Sequence, residues 1–158
     1  MPRREILTST ERMQLLAFPD DEGELIRKYT LRKADLAFVR QHRGDYNRLG
    51  IAVQMCSLRY PGRMLGENER PPDRLLNLVA TQLGISIVAW DVYAQRDETR
   101  REHLLELLPR LEMEQFGIRH YRAISAWLES TALQTMQGIV LVRTAVDELR
   151  RDLSSSRR

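Results

Sequence analysis

One helix-length segment, residues 45–60, carries apolar side chains around most of its circumference. At about 100° per residue, two apolar faces form. They consist of Leu49, Ala52, Val53, Cys56 and Tyr60, and of Ile51, Met55 and Leu58. Between Leu49 and Leu58, only Gly50, Gln54 and Ser57 remain as a narrow polar strip. A helix that is apolar on nearly all sides must be enclosed by other elements, so the sequence predicts a central helix packed inside a helical bundle.

Helical periodicity continues along most of the chain, whereas the alternation typical of strands is almost absent. Capping, proline and glycine signals predict further helices. They lie after the capping box Thr8–Glu11, then at about 21–27, 33–41, 72–83, 85–93, 97–109 and 120–137, and after Gly138. The expected fold is therefore all-α, a compact bundle of about seven or eight short helices. We expect one domain over 1–153, which divides into lobes 1–66 and 71–153, and a disordered tail at 154–158.

The composition narrows the function classes. No apolar run approaches the roughly 18 residues that span a membrane, and no signal peptide is visible, which predicts an intracellular, cytoplasmic protein without membrane contact. Cys56 is the only cysteine and should be buried. The histidines His42, His103 and His120 show no ligand spacing, so surface positions are expected for them. The sequence contains no glycine-rich phosphate loop, no nucleophile elbow and no carboxylates paired at a metal-binding spacing, and we expect no cofactor, metal or catalysis.

Positive charge is concentrated between positions 32 and 63. Seven basic and two acidic residues give this segment a net charge of +5, although the whole chain carries only +3. Collected charge of this kind favours a polyanionic partner. Of the 25 basic residues 23 are arginine, whose planar fork suits phosphate and base edges. A coding bias towards arginine would produce the same composition.

Two helix starts could bind phosphate through free backbone N–H groups. At the first, Arg43 precedes the helix and Asn47 and Arg48 lie inside it, although Asp45 as N-cap would compete for the same groups. At the second, Arg100 and Arg101 oppose the helix dipole, and a bound phosphate would reverse that penalty. Ion pairs from Asp97 or Glu98 to Arg101 explain the second pattern equally well, so both interpretations stay open.

Two sequence elements carry a resemblance to a known family. The first is Arg-Gly-x-x-Asn-Arg-Leu-Gly at 43–50 with Leu-Arg-Tyr-Pro-Gly-Arg at 58–63, and the second is Tyr-Ala-x-Arg-x-x-Thr-Arg-Arg-Glu-His at 93–103. Over about 8–153 the chain resembles the N-terminal domain of the transposases of class II replicative (TnA-type) transposons. The resemblance implies an all-helical module that binds terminal inverted repeats, with strand transfer performed by a separate DDE domain.

On this basis we expect sequence-specific binding of double-stranded DNA at transposon ends, with arginines that face outward and hold phosphates. The predicted contact residues are Arg43, Asn47, Arg48, Arg59 and Arg63 in one region, and Arg96, Thr99, Arg100, Arg101 and His103 in a second. Other possible contacts are a homodimer or other transposase domains. The alternatives are an interaction module whose arginines hold the fold together and, less favoured, a nuclease.

Overall fold

The computed structural model describes residues 7–132 and 138–155, which contain nine α-helices and no strand. The predicted all-α class is confirmed. The helices are α1 (Ser9–Leu15), α2 (Glu22–Tyr29), α3 (Lys33–Arg40), α4 (Asp45–Arg59), α5 (Asp73–Leu83), α6 (Ala89–Ala94), α7 (Asp97–Arg110), α8 (Ile118–Ala132) and α9 (Gly138–Ser155).

Local signals in the sequence define several of these helix ends. Thr8 caps α1 through the expected capping box with Glu11, and this hydrogen bonding lowers the pKa of the Glu11 carboxyl. Asp21 caps α2 by accepting the Glu24 N–H at 2.9 Å. Gly84 ends α5 in the left-handed conformation, with φ of 68°, a backbone that glycine adopts without steric cost.

Backbone contacts divide the chain into two compact units. Unit 2 spans 18–107, whereas unit 1 combines 1–17 with 108–158. The boundary therefore falls inside α7 and not in the expected loop between 66 and 71. Side chains fix that loop to unit 2, because Gln54 pairs with both backbone groups of Leu65.

Unit 2 is built around α4, which packs against α2, α3, α5 and α6. Every residue of α4 from Leu49 to Leu58 is buried, so the predicted enclosure is confirmed. The polar strip is also buried, although the sequence pattern did not predict this. Ser57 Oγ donates a hydrogen bond to the Arg63 carbonyl at 2.6 Å. Gly50 lies directly under the ring of Tyr93. Cys56 is buried as expected, and desolvation raises its thiol pKa to about 12.

Unit 1 contains α1, the last turn of α7, and the packed pair α8 and α9. Arg150 Nη2 donates to the Leu15 carbonyl at 3.2 Å and so connects α9 to α1. The helix α9 ends at Ser155. The predicted tail at 154–158 stays a prediction, since residues 156–158 lie outside the described part of the chain.

Candidate nucleic-acid interface

Arg59 was expected to contact DNA, but it pairs inside the fold. Its guanidinium donates two hydrogen bonds to Asp35, with Nη1–Oδ2 at 3.0 Å and Nη2–Oδ1 at 2.8 Å. The Asp35 side chain is only 5% exposed, and its Oδ2 also accepts the Arg32 N–H at 2.9 Å. Arg59 therefore compensates a buried carboxylate and joins α4 to the start of α3.

Arg48 stabilises the turn between α3 and α4. Its Nε donates to the His42 carbonyl at 2.8 Å and its Nη2 to the Arg40 carbonyl at 3.4 Å. These carbonyls lie at the end of α3, where backbone carbonyl groups have no N–H partner within the helix. Asn47 acts in the same turn, since its Nδ2 donates to the Arg43 carbonyl at 2.9 Å.

Arg63 and Arg100 fix the loop that follows α4. Arg63 binds Glu69 through both Nη atoms, at 3.0 and 2.6 Å, and this pairing lowers the pKa of the Glu69 carboxyl. Arg100 is buried; it donates to the Gly66 carbonyl at 3.2 Å and to Asp97 at 3.2 Å. The expectation that Arg100 faces outward to a phosphate is wrong, because its guanidinium supplies a hydrogen bond that the loop requires.

His103 is also buried, contrary to the expected surface position. Its Nδ1 lies 3.1 Å from the Tyr93 hydroxyl, and its ring packs edge-on against His42. His42 Nε2 in turn lies 2.9 Å from Glu106. Desolvation, reinforced by His42, lowers the His103 pKa from 6.5 to about 4, so this ring is neutral at pH 7 and supplies no charge to a polyanion.

The buried His103 predicts a loss of stability in weak acid. In the unfolded chain His103 binds a proton near pH 6.5, and in the folded chain only near pH 4. Its contribution to the free energy of unfolding is therefore fully present above pH 6.5 and decreases as the pH falls towards 4. When the pH is lowered from 7.5 to 5.5, a range above the pKa of most carboxylates, the urea concentration at the midpoint of unfolding should decrease for the wild type. His103→Gln, whose amide can still meet Tyr93, should lose much of this dependence. An unchanged pH profile in this variant would contradict the assignment.

The remaining predicted residues are more accessible. Arg43 is exposed and makes no ion pair within the described ranges. Arg96 is exposed and lies over the Tyr46 ring, with the guanidinium carbon 4.8 Å from its centroid. Tyr46 lies in the first turn of α4, so this contact brings a residue of the second predicted region next to the first.

Acidic side chains surround the start of α7. Arg101 is 79% exposed but pairs with Asp97 at 2.9 Å, as the alternative interpretation predicted, and Glu98 and Glu102 are exposed nearby in sequence. Thr99 is half-buried. The start of α7 therefore offers an anion much less positive potential than its arginines suggested.

The structure reveals a more strongly basic surface on α3. Its exposed residues lie within an arc of about 120° at ideal helical spacing. They are Lys33, Ala34, Ala37 and Arg40, together with Gln41, which directly follows the last residue of the helix. We call this surface, together with the exposed residues Arg32 and Arg43 at its two ends, the basic face. The only acidic residue between 32 and 43 is Asp35, which is buried on the opposite side.

The sequence-based site prediction did not include α3. Its charges were counted, but the candidates were sought at helix starts, where phosphates commonly bind. The signal was present in the helical spacing, because Lys33, Ala37 and Arg40 follow the i, i+4, i+7 pattern of one helix face. The only apolar residue of these three is alanine.

Residues 7–132 and 138–155 contain no cluster of three or more histidine, cysteine, aspartate or glutamate side chains that could hold a metal ion. None of the described helices is long and apolar enough to cross a membrane.

The fold and surface define an all-α module with an arginine-stabilised interior and a basic helical face. Residues 6–153 match a family model described as a domain of unknown function, DUF4158, and the chain belongs to that family. It corresponds to the N-terminal region of TnA-family transposases, which confirms the resemblance found in the sequence.

Individual relatives agree with this assignment. The chain is 51% identical over 151 residues to the transposase for transposon Tn3926 of Escherichia coli and 48% identical over 151 residues to that for Tn21 of the same species. It is 46% identical over 150 residues to the transposase for transposon Tn501 of Pseudomonas aeruginosa. These matches cover 95–96% of this chain but only 15% of each relative.

Proposed function

We propose that this chain is the DNA-binding N-terminal module of a transposase and recognises double-stranded DNA at the terminal inverted repeats of a transposon. Catalysis would belong to other parts of such a protein, since the chain spans about 15% of the length of its relatives. The relationship to transposases supports a DNA partner, and the charge distribution of unit 2 supports a place where it binds.

The basic face is the observation on which the proposal depends. Arg32, Lys33, Arg40 and Arg43 are all exposed, and no exposed acidic side chain interrupts them between 32 and 43. Cations that remain free of internal partners can displace counterions from a duplex, and this release supplies much of the binding free energy. Arg96 extends the same charge beyond the start of α4 through its contact with Tyr46.

The ten predicted site residues divide into three groups in this proposal. Arg43 and Arg96 contact phosphates, and Thr99 and Arg101 lie at the margin of the interface. The other six maintain the shape of the surface from within or behind it; they are Asn47, Arg48, Arg59, Arg63, Arg100 and His103. Proteins commonly use such supporting contacts to hold a binding surface in place.

The salt dependence of binding tests the phosphate role of Arg43. Arg43→Ala should reduce the slope of log affinity against log salt by about one, because one fewer counterion is released. Fluorescence anisotropy of a labelled duplex with the Tn3926 terminal inverted repeat, at several salt concentrations, measures the slope. Arg27→Ala is the matched control, since Arg27 is 72% exposed but pairs with Glu24. Equal slopes for wild type and Arg43→Ala would remove Arg43 from the interface.

Unit 1 supports a second candidate function, contact with a protein partner. No residue of α8 is buried, and Phe116, Ile118 and Tyr121 around its start are 60–72% exposed. Large exposed apolar groups often mark protein interfaces. A second copy of the chain or another transposase domain would suit them. Light scattering should then show self-association that Ile118→Ser weakens without changing DNA affinity, whereas a strictly monomeric wild type would exclude the homodimer.

A further inference from the structure

We infer that α3 is the helix that reads the DNA sequence: it lies in the major groove and presents Lys33, Arg40 and Gln41 to the edges of the bases. The inference rests on the proposed function, because it requires that the chain binds a duplex. It assigns the base-contacting role to residues that the sequence-based site prediction did not include.

The shape of the basic face fits a groove. Its centre is formed by Ala37, with Ala34 beside it, and both are exposed. A single methyl group at these positions leaves the helix narrow, so its backbone can approach the floor of a major groove about 12 Å wide. A helix that only touched phosphates from outside would gain nothing from small side chains between its charges.

The chemistry of the face matches base edges in the groove. Arginine and lysine donate to O6 and N7 of guanine, glutamine pairs with N6 and N7 of adenine, and alanine contacts the thymine methyl group. The face carries one or two of each type: Lys33 and Arg40, Gln41, and the two alanines. Arg32 and Arg43 lie just outside the two ends of the eight-residue helix, where the phosphates that flank a groove would lie.

The opposite side of α3 is held rigidly. Asp35 fixes its first turn to Arg59, and Arg48 binds the carbonyls of Arg40 and His42 at its end. Val39 is fully buried between them. A helix fixed at both ends pays little conformational entropy when it binds, which favours base readout over a loose electrostatic contact.

The other helix of the pair is unsuitable for this role. In a helix-turn-helix motif the second helix enters the groove, but here the second helix is α4, which is buried from Leu49 to Leu58. Only its first turn is accessible. The burial pattern therefore assigns the exposed reading position to the first helix of this pair.

The test compares steric and charge variants of the complete chain on two duplexes. One is the duplex that the wild type enriches from a random pool, and the other is a scrambled duplex of the same composition. Ala37→Leu adds bulk without charge at a helix-compatible position and should weaken binding to the selected duplex about tenfold or more. Arg40→Ala should reduce the preference for the selected over the scrambled duplex by a similar factor. Asn77→Leu, at an exposed position of α5, is the steric control.

The outcomes separate the two proposals. If the wild type binds no duplex, the proposed function fails together with the inference. If the wild type selects a sequence but Ala37→Leu binds as tightly as Asn77→Leu, only the inference fails. Equal losses on both duplexes for Arg40→Ala would assign Arg40 to a phosphate and would overturn the inference in the same way. Circular dichroism of each variant confirms that the helices are retained.

Discussion

Replacing Arg59 by alanine is expected to destabilise unit 2 by about 3–5 kcal/mol, because the substitution leaves the Asp35 carboxylate buried without its cation. Asp35 would lose both hydrogen bonds from the guanidinium group and would keep the one from the Arg32 backbone N–H. Urea unfolding followed by the fluorescence of buried Trp90, in a Trp127→Phe background that removes the signal of unit 1, measures the effect on this unit.

The control for this prediction is an ion pair on the surface. Arg101→Ala removes a pair with Asp97 in which both side chains are largely accessible, 79% and 49% exposed, and such pairs contribute about 0–1 kcal/mol. If the two variants lost similar stability, the pair between Arg59 and Asp35 would not be the structural link between α3 and α4.

Substitution of Gly50 by alanine should have an effect of similar size. A Cβ built at Gly50 lies 2.2–2.4 Å from atoms of the Tyr93 ring, too close for any two such atoms. Tyr93 is fully buried and packs against His103 and Trp90, so the ring cannot move freely. We expect the free energy of unfolding to decrease by about 3 kcal/mol, the upper end of the range for overpacked protein interiors. This decrease is expected even though alanine usually stabilises a helix by about 1 kcal/mol relative to glycine.

Gly23→Ala provides the matched comparison for Gly50→Ala. Gly23 lies in α2, and its Cβ would meet only the Asp21 carboxylate, at 3.1 Å. This oxygen also accepts the Glu24 N–H, but the side chain needs to shift by only a few tenths of an ångström, so the variant should stay close to the wild type in the same urea titration. A stable Gly50→Ala protein would show that α4 and α6 are packed less closely than described.

The fold was predictable where local signals and burial agree. The capping box at Thr8, the enclosure of α4 and the glycine at the end of α5 follow from capping, periodicity and backbone conformation, all of which depend on neighbouring residues. The division into units was not predictable, because it depends on distant contacts such as Gln54 with Leu65. Sequence spacing alone does not reveal which loop a buried amide will bind.

The site was harder to predict than the fold, because the direction of an arginine depends on its tertiary partners. Arg59 and Arg100 lie in motifs that suggest phosphate contacts, yet a buried carboxylate and a loop carbonyl bind their guanidinium groups. The basic face could have been predicted from a helical-wheel projection of α3. Its exposure becomes certain only when Asp35, Val39 and their neighbours are seen to occupy the opposite side.

The central claim, that the basic face of α3 binds duplex DNA, is tested most directly by NMR. Backbone amide resonances of the isotope-labelled chain would be followed during titration with the selected duplex. We predict that the largest shifts lie between Arg32 and Arg43, with a smaller group around Arg96. Shifts confined to α8 and α9, with 32–43 unchanged at saturation, would contradict the claim.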